Sequence, residues 1–361
     1  MPKFIPGLTL SKLFYERKVK PILSNAFPRV PHSAALIGWG SEVLGFDTAI
    51  SRDHHWGPRV LLFLSEKDSP KLRDKISAVL SAELPYEFMG YSTNYSKPEP
   101  NGIRRLVKIE SGPVDHMINI YTVRSFVSSR LGFDLKRRLT VTDWLTFPQQ
   151  RLLEFTSGEV YYDGLDQLTK ARERLRYYPH DVWLYMMAAQ WIRIAQEEAF
   201  VGRAGHVVDE LGSQIVAARL GREIIKLSFL MERKYAPYSK WLGTAFSRLE
   251  IAKTLAPILR RTLLAETWKT REKWLSQAYS LIAGRHNELK ITEPLSTKTT
   301  DYYHRPYSVI FGERFAHAIK QAIRDPRVKK IESDIGSIDQ FTDSTDVIQD
   351  LALIKKLRVA Y

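Results

Sequence analysis

Residues 38–64, GWGSEVLGFDTAISRDHHWGPRVLLFL, decide how this chain is read. A Gly-Ser pair closes a predicted strand, a turn follows, and Asp53-His54-His55 leads into the strand formers RVLLFL. Glycine lets backbone N–H groups approach an anion closely, and a serine hydroxyl adds a donor. Residues 42–46, EVLGF, read as one helical turn whose N-terminus would strengthen that corner. Side chains two apart on a strand share a face, so Asp53 and His55 stand where two metal ligands would. The stretch therefore reads as a phosphate corner facing a metal ligand.

Around it, the pattern predicts a small mixed α/β domain. Leu8, Leu13, Phe14 and Val19 fall near helical spacing, which predicts a helix over 8–26 ending before Phe27-Pro28. AALIGWG and RVLLFLSE read as buried strands, and Ser69-Pro70 as the start of a helix over 70–84. Residues 89–102 read as a loop, then IRRLVKIES and HMINIYTV as two more strands. Beyond about residue 145 the apolar spacing becomes helical: residues 181–200, then 209–234 with a stripe of Leu211, Ile215, Ala218, Ile225 and Phe229, then two helices over 247–289. The acidic end, 332–361, reads as a closing helix capped by Asp343-Ser344-Thr345-Asp346. The expected architecture is α+β, with an α/β domain at 1–145 and a helical domain at 146–361.

Composition narrows the function. Hydrophobic residues at 44% and charged residues at 26% suit a soluble globular protein. No apolar run reaches the ~20 residues of a bilayer span, and the N-terminus lacks the order of a secretory signal. With no cysteine, disulfide frameworks and thiolate metal sites are excluded. The expectation is a cytoplasmic protein with no membrane contact. Lys and Arg number 54 against 40 Asp and Glu, a formal +14 that fits a polyanionic partner or, equally, a plain basic surface. The densest patches, 136–138, 172–176 and Arg260-Arg261, admit both readings.

The layout of Gly40-Ser41, a loop and then an acidic strand entry resembles the nucleotidyltransferase superfamily with the DNA polymerase β palm. Within it, SRDHHWGPR (51–59) is similar to an uncharacterised family with the motif Ser-Arg-Asp-His-x-Trp-Gly-Pro-Arg. LGFDT, VGRAGHVVDELGSQIVAARL, YAPYSKW and IGSIDQFTDSTDV carry the likeness over most of the chain. The resemblance implies a small mixed-sheet palm followed by a mostly helical domain. It places Gly40 and Ser41 at the phosphates and Asp53 as the first metal carboxylate. His55 then stands at the second carboxylate position, and Asn119 on HMINIYTV at the third.

Only one of three expected carboxylates is thus present. Asp53, Asn119 and a triphosphate suit one Mg²⁺ or Mn²⁺, while His55, joined by His54 or His116, suits Zn²⁺. The plainer reading has His54 buried and hydrogen-bonded, and His55 paired with Asp53. Arg52 and Arg59 flank the motif as candidate phosphate ligands. From the helical half the resemblance implies Tyr238 and Lys240 as contacts to the nucleotide, and a general base among Glu197, Glu198, Asp209 and Glu210. Trp56 is a candidate base-stacking ring beside the motif.

The first functional expectation is a nucleotidyltransferase that moves a nucleoside monophosphate from an NTP to an acceptor hydroxyl or phosphate, with RNA or protein as candidate acceptor. The alternative is a catalytically degraded relative that binds nucleotide or RNA in a regulatory role, suggested by His55 and Asn119. An RNA-binding factor rests on net charge alone, since no RRM, KH or zinc-knuckle signature is present.

Overall fold

The computed structural model describes residues 2–361. The chain divides into two compact units. The first runs to Arg138 and includes Arg151–Arg176, and the second comprises Leu139–Gln150 and Tyr177–Tyr361. The change of pattern near residue 145 is therefore not a single crossing, because the chain returns to the first unit before leaving it at Arg176.

In the first unit the opening helix, 7–26, buries Leu10, Phe14, Val19 and Leu23. The five-residue step from Phe14 to Val19 coincides with a wider turn at Tyr15–Val19, which keeps the buried stripe on one side. Four strands form the sheet: β1 (His32–Leu36), β2 (Arg59–Leu64), β3 (Met117–Tyr121) and β4 (Glu159–Asp163). Their order is β3-β2-β1-β4, with β1 antiparallel to both neighbours and β2 parallel to β3. Every residue of β2 is buried, as expected of a central strand covered on both faces.

Alternation gives the sheet two faces. Val60, Leu62, Leu64, Ile118 and Ile120 join Leu10, Phe14, Ile76 and Leu80 in the core under the helices 7–26 and Ser69–Glu83. Arg59, Leu61, Phe63, Asn119 and Tyr121 take the other face. There Phe126, from the helix Val123–Leu131, meets Phe63 edge-on at 5.5 Å and Tyr121 at 5.3 Å.

Three elements depart from the sequence expectation. IRRLVKIES is not a sheet strand; it lies along the 94–99 segment through short backbone pairings such as Ser96 N–H to Arg105 O, 2.8 Å. The fourth strand is instead β4, whose charged ends Glu159 and Asp163 hid it. The strand pair Thr300–Tyr302 and Arg305–Val309 interrupts the helical unit.

The second unit packs the helices His180–Glu197, Glu210–Met231, Ala252–Leu264, Trp268–Glu288 and Gly312–Ala322. Trp191 stacks on Phe315 with centroids 4.2 Å apart. The closing helix breaks at Asp350, whose carboxylate accepts the Ala352 and Leu353 N–H groups and starts a second short helix, Leu351–Leu357. On Glu210–Met231 the buried residues include Ala217, Leu220, Ile224 and Leu227, while Leu211, Ile215 and Ala218 of the apolar stripe face outward. The chain is α+β: a small mixed sheet with many helices. Among the described residues no helix is long and apolar enough to cross a membrane.

Gly158 precedes β4 at φ +72°, and a Cβ there would lie 2.1 Å from the Leu36 carbonyl oxygen. Neither backbone can yield without breaking the β1–β4 pairing. Gly158→Ala is expected to cost roughly 2–4 kcal/mol in urea unfolding; an unchanged midpoint would contradict this placement of β4.

Candidate functional site

The turn after β1 is built on a buried ion pair. Arg59, the first residue of β2, donates from Nε to Glu42 Oε1 at 2.9 Å and from Nη2 to the Trp39 carbonyl at 2.7 Å. Its guanidinium also lies under the Trp39 ring, 4.0 Å from the centroid. Arg59 and Glu42 are both buried, so each charge relies on the other. The expected role of Arg59 on phosphate oxygens gives way to this one, because the buried guanidinium spends its Nε and Nη2 on Glu42 and Trp39.

The pair dictates what stands at position 40. Gly40 has φ +125°, and a Cβ there would fall 2.4 Å from Arg59 Nη2 and 2.6 Å from Glu42 Oε2. Residues 41–45 form successive turns rather than the expected helical turn, with Val43 N–H on Gly40 O at 3.2 Å and Phe46 N–H on Ser41 O at 2.9 Å. These bonds occupy the Gly40 and Ser41 carbonyls. Among the described residues, neither the N–H group of Gly40 or Ser41 nor the Ser41 hydroxyl has a hydrogen-bond partner. Three donors are thus left at a half-buried corner.

Asp53 does not lie on a strand. It ends a short 3-10 turn, Ala49–Asp53, capped by Thr48, and β2 begins only at Arg59. His55 has φ +51°, so strand alternation does not relate it to Asp53. The two histidines also exchange the places expected of them. His54 is exposed and pairs through Nδ1 with Asp53 Oδ2 at 2.7 Å, whereas His55 turns inward with Nδ1 buried and unpartnered among the described residues. The His55 ring meets Trp39 edge-on at 5.1 Å, which sets the 53–55 segment against the Gly40 corner.

Electrostatics follow the positions. Burial lowers the His55 pKa, and the nearby positive charges of His54, Arg59 and Arg104 lower it further. For Asp53 slight burial acts upward, but the hydrogen bond and charge of His54 and local backbone N–H groups bring the pKa below the usual carboxylate value. Arg52 is engaged with backbone oxygens of Ala49 and Pro2. Asn119 pairs in register with Leu61 on the same sheet face as Arg59. His116 is fixed by Ser77 O and the Ile118 N–H, and so is not placed to join a metal. Trp56 donates to Asp47 and stacks on Phe4 in the core, which removes it as a base platform. Among the described residues no group of three His, Asp or Glu side chains is disposed to hold a metal ion.

The second unit places its candidates in other work. Glu197 accepts Arg219 at 3.0 and 2.5 Å. Asp209 caps Gly212 N–H at 2.7 Å, and Glu210 holds Trp268 N–H and Arg271. Buried Glu198 accepts the N–H groups of Ile310, Phe311 and Gly312 at 2.7–3.1 Å, starting the helix Gly312–Ala322. A general-base role for Glu197 or Glu198 is therefore replaced by structural bonds. Tyr238 donates its N–H to Gln150 and borders a cavity of about 40 Å³ with Arg222, Lys226 and Asp339. That volume suits a water or two, not a triphosphate. Lys240 lies over the Trp241 ring, 5.1 Å from its centroid.

A family model matches residues 144–242. It is the domain of unknown function DUF4037. The matched span holds Glu197, Glu198, Tyr238 and Lys240 and leaves the 38–64 stretch outside. No curated protein matches the chain. A nucleotidyltransferase-like protein from Exiguobacterium sibiricum of known crystal structure is 12% identical, covering 97% of this chain and 90% of its own at a TM-score of 0.31. A likeness at that score shows neither fold nor function.

Two outcomes test this geometry. Arg59→Met leaves Glu42 charged and buried, and is expected to cost about 3–5 kcal/mol in denaturant unfolding, with much of it recovered in Arg59→Met/Glu42→Met. Burial raises the Glu198 pKa to about 7 from an ordinary 4.5, outweighing the three N–H groups that act the other way. The folded state then keeps a proton that the unfolded chain has released, so stability falls as pH rises from 4.5 to 7. Subtracting the Glu198→Gln profile isolates that decline; parallel profiles would contradict it.

Proposed function

We propose that the first unit holds the phosphate chain of a nucleoside triphosphate on the Gly40-Ser41 turn. What supports the reading is the set of three unengaged donors, two N–H groups and a hydroxyl, on a turn held rigid by Arg59 and Glu42. Donors fixed before the ligand arrives lose little entropy on binding, and oriented N–H groups favour anions. Trp39, half-buried over Arg59, stands next to them as a flat apolar surface.

A second reading adds chemistry: transfer of a nucleoside monophosphate to an acceptor hydroxyl or phosphate of RNA or protein. It is favoured by the exposed Asp53 carboxylate on the segment that His55 sets against Trp39. A pair of Mg²⁺ ions does not fit these residues. One carboxylate, already bonded to His54, cannot neutralise two divalent cations, and magnesium resists ligands other than oxygen. A single Mg²⁺ or Mn²⁺ resting on Asp53 and the phosphates belongs to this second reading alone.

Calorimetric titration with ATP, GTP, CTP and UTP tests the first reading. At least one NTP is expected to bind, Ser41→Ala to weaken it by about tenfold or less for one lost hydrogen bond, and Ser41→Asp to abolish it by charge. Binding unchanged in Ser41→Asp would sink the proposal. Label transfer from α-³²P-NTP with Mg²⁺ or Mn²⁺ tests the second, which requires loss in Asp53→Asn with NTP binding retained.

A further inference from the structure

The strand Arg305–Val309 passes into the helix Gly312–Ala322 through a link that two acids grip from different helices. Glu198, just past the end of His180–Glu197, holds the N–H groups of Ile310, Phe311 and Gly312. Glu272, on Trp268–Glu288, accepts the N–H of Ser308. Four of the five N–H groups from Ser308 to Gly312 therefore end on two carboxyls.

The link is held in a strained form. Phe311 sits at φ +53°, a backbone conformation that a phenylalanine keeps only where its surroundings impose it. Gly312 is pressed onto His180–Glu197, where a Cβ would lie 2.7 Å from the Trp191 carbonyl oxygen. Glu272 is set as closely, since a Cβ on Gly202 would lie 2.8 Å from its Oε1. That Oε1 is buried without a hydrogen-bond partner among the described residues, as is the hydroxyl of Tyr279, which faces both Glu198 and Glu272.

The charges nearby do not cancel those of the two acids. Against Glu198 stand Glu313 and Arg314, the Arg314 guanidinium being bonded to the Ile310 and Ser296 carbonyls. Against Glu272 stands Asp301 of the paired strand. On its own helix Lys269 lies over Trp268, Arg271 is bonded to Glu210 and Ser213, and Lys273 is exposed. Glu197 is paired with Arg219, and Arg203 lies over Phe200. The histidines of adjoining elements are His206, edge-on to Tyr307, His286, edge-on to Phe315, and the exposed His304 and His317.

Each acid is consequently harder to ionise docked than free. Burial raises both carboxyls to about 7 from an ordinary 4.5, against N–H groups that act downward. Release into water returns each to the ordinary value, so docking takes up protons and weakens as pH rises from 4.5 to 7. His286, lowered by burial to about 4, stays neutral across that window.

We propose that Glu198 and Glu272 make Ser308–Gly312 a proton-operated latch, docked while both carboxyls are protonated and opening more often as they ionise. The latch bears on the seating of Gly312–Ala322, whose Phe315 stacks on Trp191. It uses none of the residues of the proposed nucleotide site, and neither reading depends on the other.

The test is residue-resolved amide hydrogen exchange of the full chain by NMR, corrected for the intrinsic effect of pH on exchange. At every pH the Ile310, Phe311 and Gly312 amides are expected to be at least tenfold less protected than Ile224 and Leu227 in the core, because the latch opens without unfolding the chain. Their protection should fall at least tenfold further between pH 5 and 7.5. Glu198→Gln and Glu272→Gln should each remove part of that fall, and the double variant all of it. In the unaltered chain, side-chain carboxyl resonances of both acids should titrate near 7, a readout that stands even if a variant does not fold. Exchange of the link at the pace of the core would assign the protons to global folding and overturn the proposal. So would a fall that persists in the double variant, which the histidines would then cause, or titration of either acid near 4.5.

Discussion

Arg59 enters β2 with its guanidinium committed to Glu42 and to the Trp39 carbonyl, and the turn after β1 takes its shape from that commitment. Two buried opposite charges tolerate little displacement, because each would otherwise face a low-dielectric interior alone. The pair needs position 40 to carry no side chain, and in the same turn the Gly40 and Ser41 carbonyls accept from Val43 and Phe46 while their N–H groups have no partner among the described residues. It also supports Trp39, against which His55 packs. The proposed phosphate corner is thus the outer surface of an inner ion pair.

Much of this was legible in the sequence. The run RVLLFL announced a strand buried on both faces, and Gly-Trp-Gly-Ser after AALI announced a turn that must bring backbone close to something. That the something includes Glu42 and Arg59 was not legible. Separated by 17 residues, an acid and a base carry no mark of pairing, and a strand-entry arginine reads as solvent-facing. Asp53 and His55 misled for a different reason. Their spacing implies a shared face only in extended backbone, and His55 at φ +51° is not extended.

In the helical half, helix positions followed from apolar spacing, while the direction of each stripe did not. Leu211, Ile215 and Ala218 keep helical spacing, yet the buried face is set by Ser213, Ala217 and Leu220, with Ser213 accepting from the buried Arg271. Periodicity marks such a stripe but not whether it faces the core or the outside. The acidic candidates Glu197, Glu198, Asp209 and Glu210 illustrate the same limit, since caps and ion pairs employ them fully.

The central claim is that the N–H groups at Gly40 and Ser41 are a preformed seat for phosphate. A crystal structure of the chain grown with a non-hydrolysable NTP tests this most directly. The account predicts phosphate oxygens about 3 Å from the Gly40 and Ser41 nitrogens, with the Glu42–Arg59 pair unmoved beneath them. Nucleotide density elsewhere, with this turn left bare at saturating ligand, would contradict it.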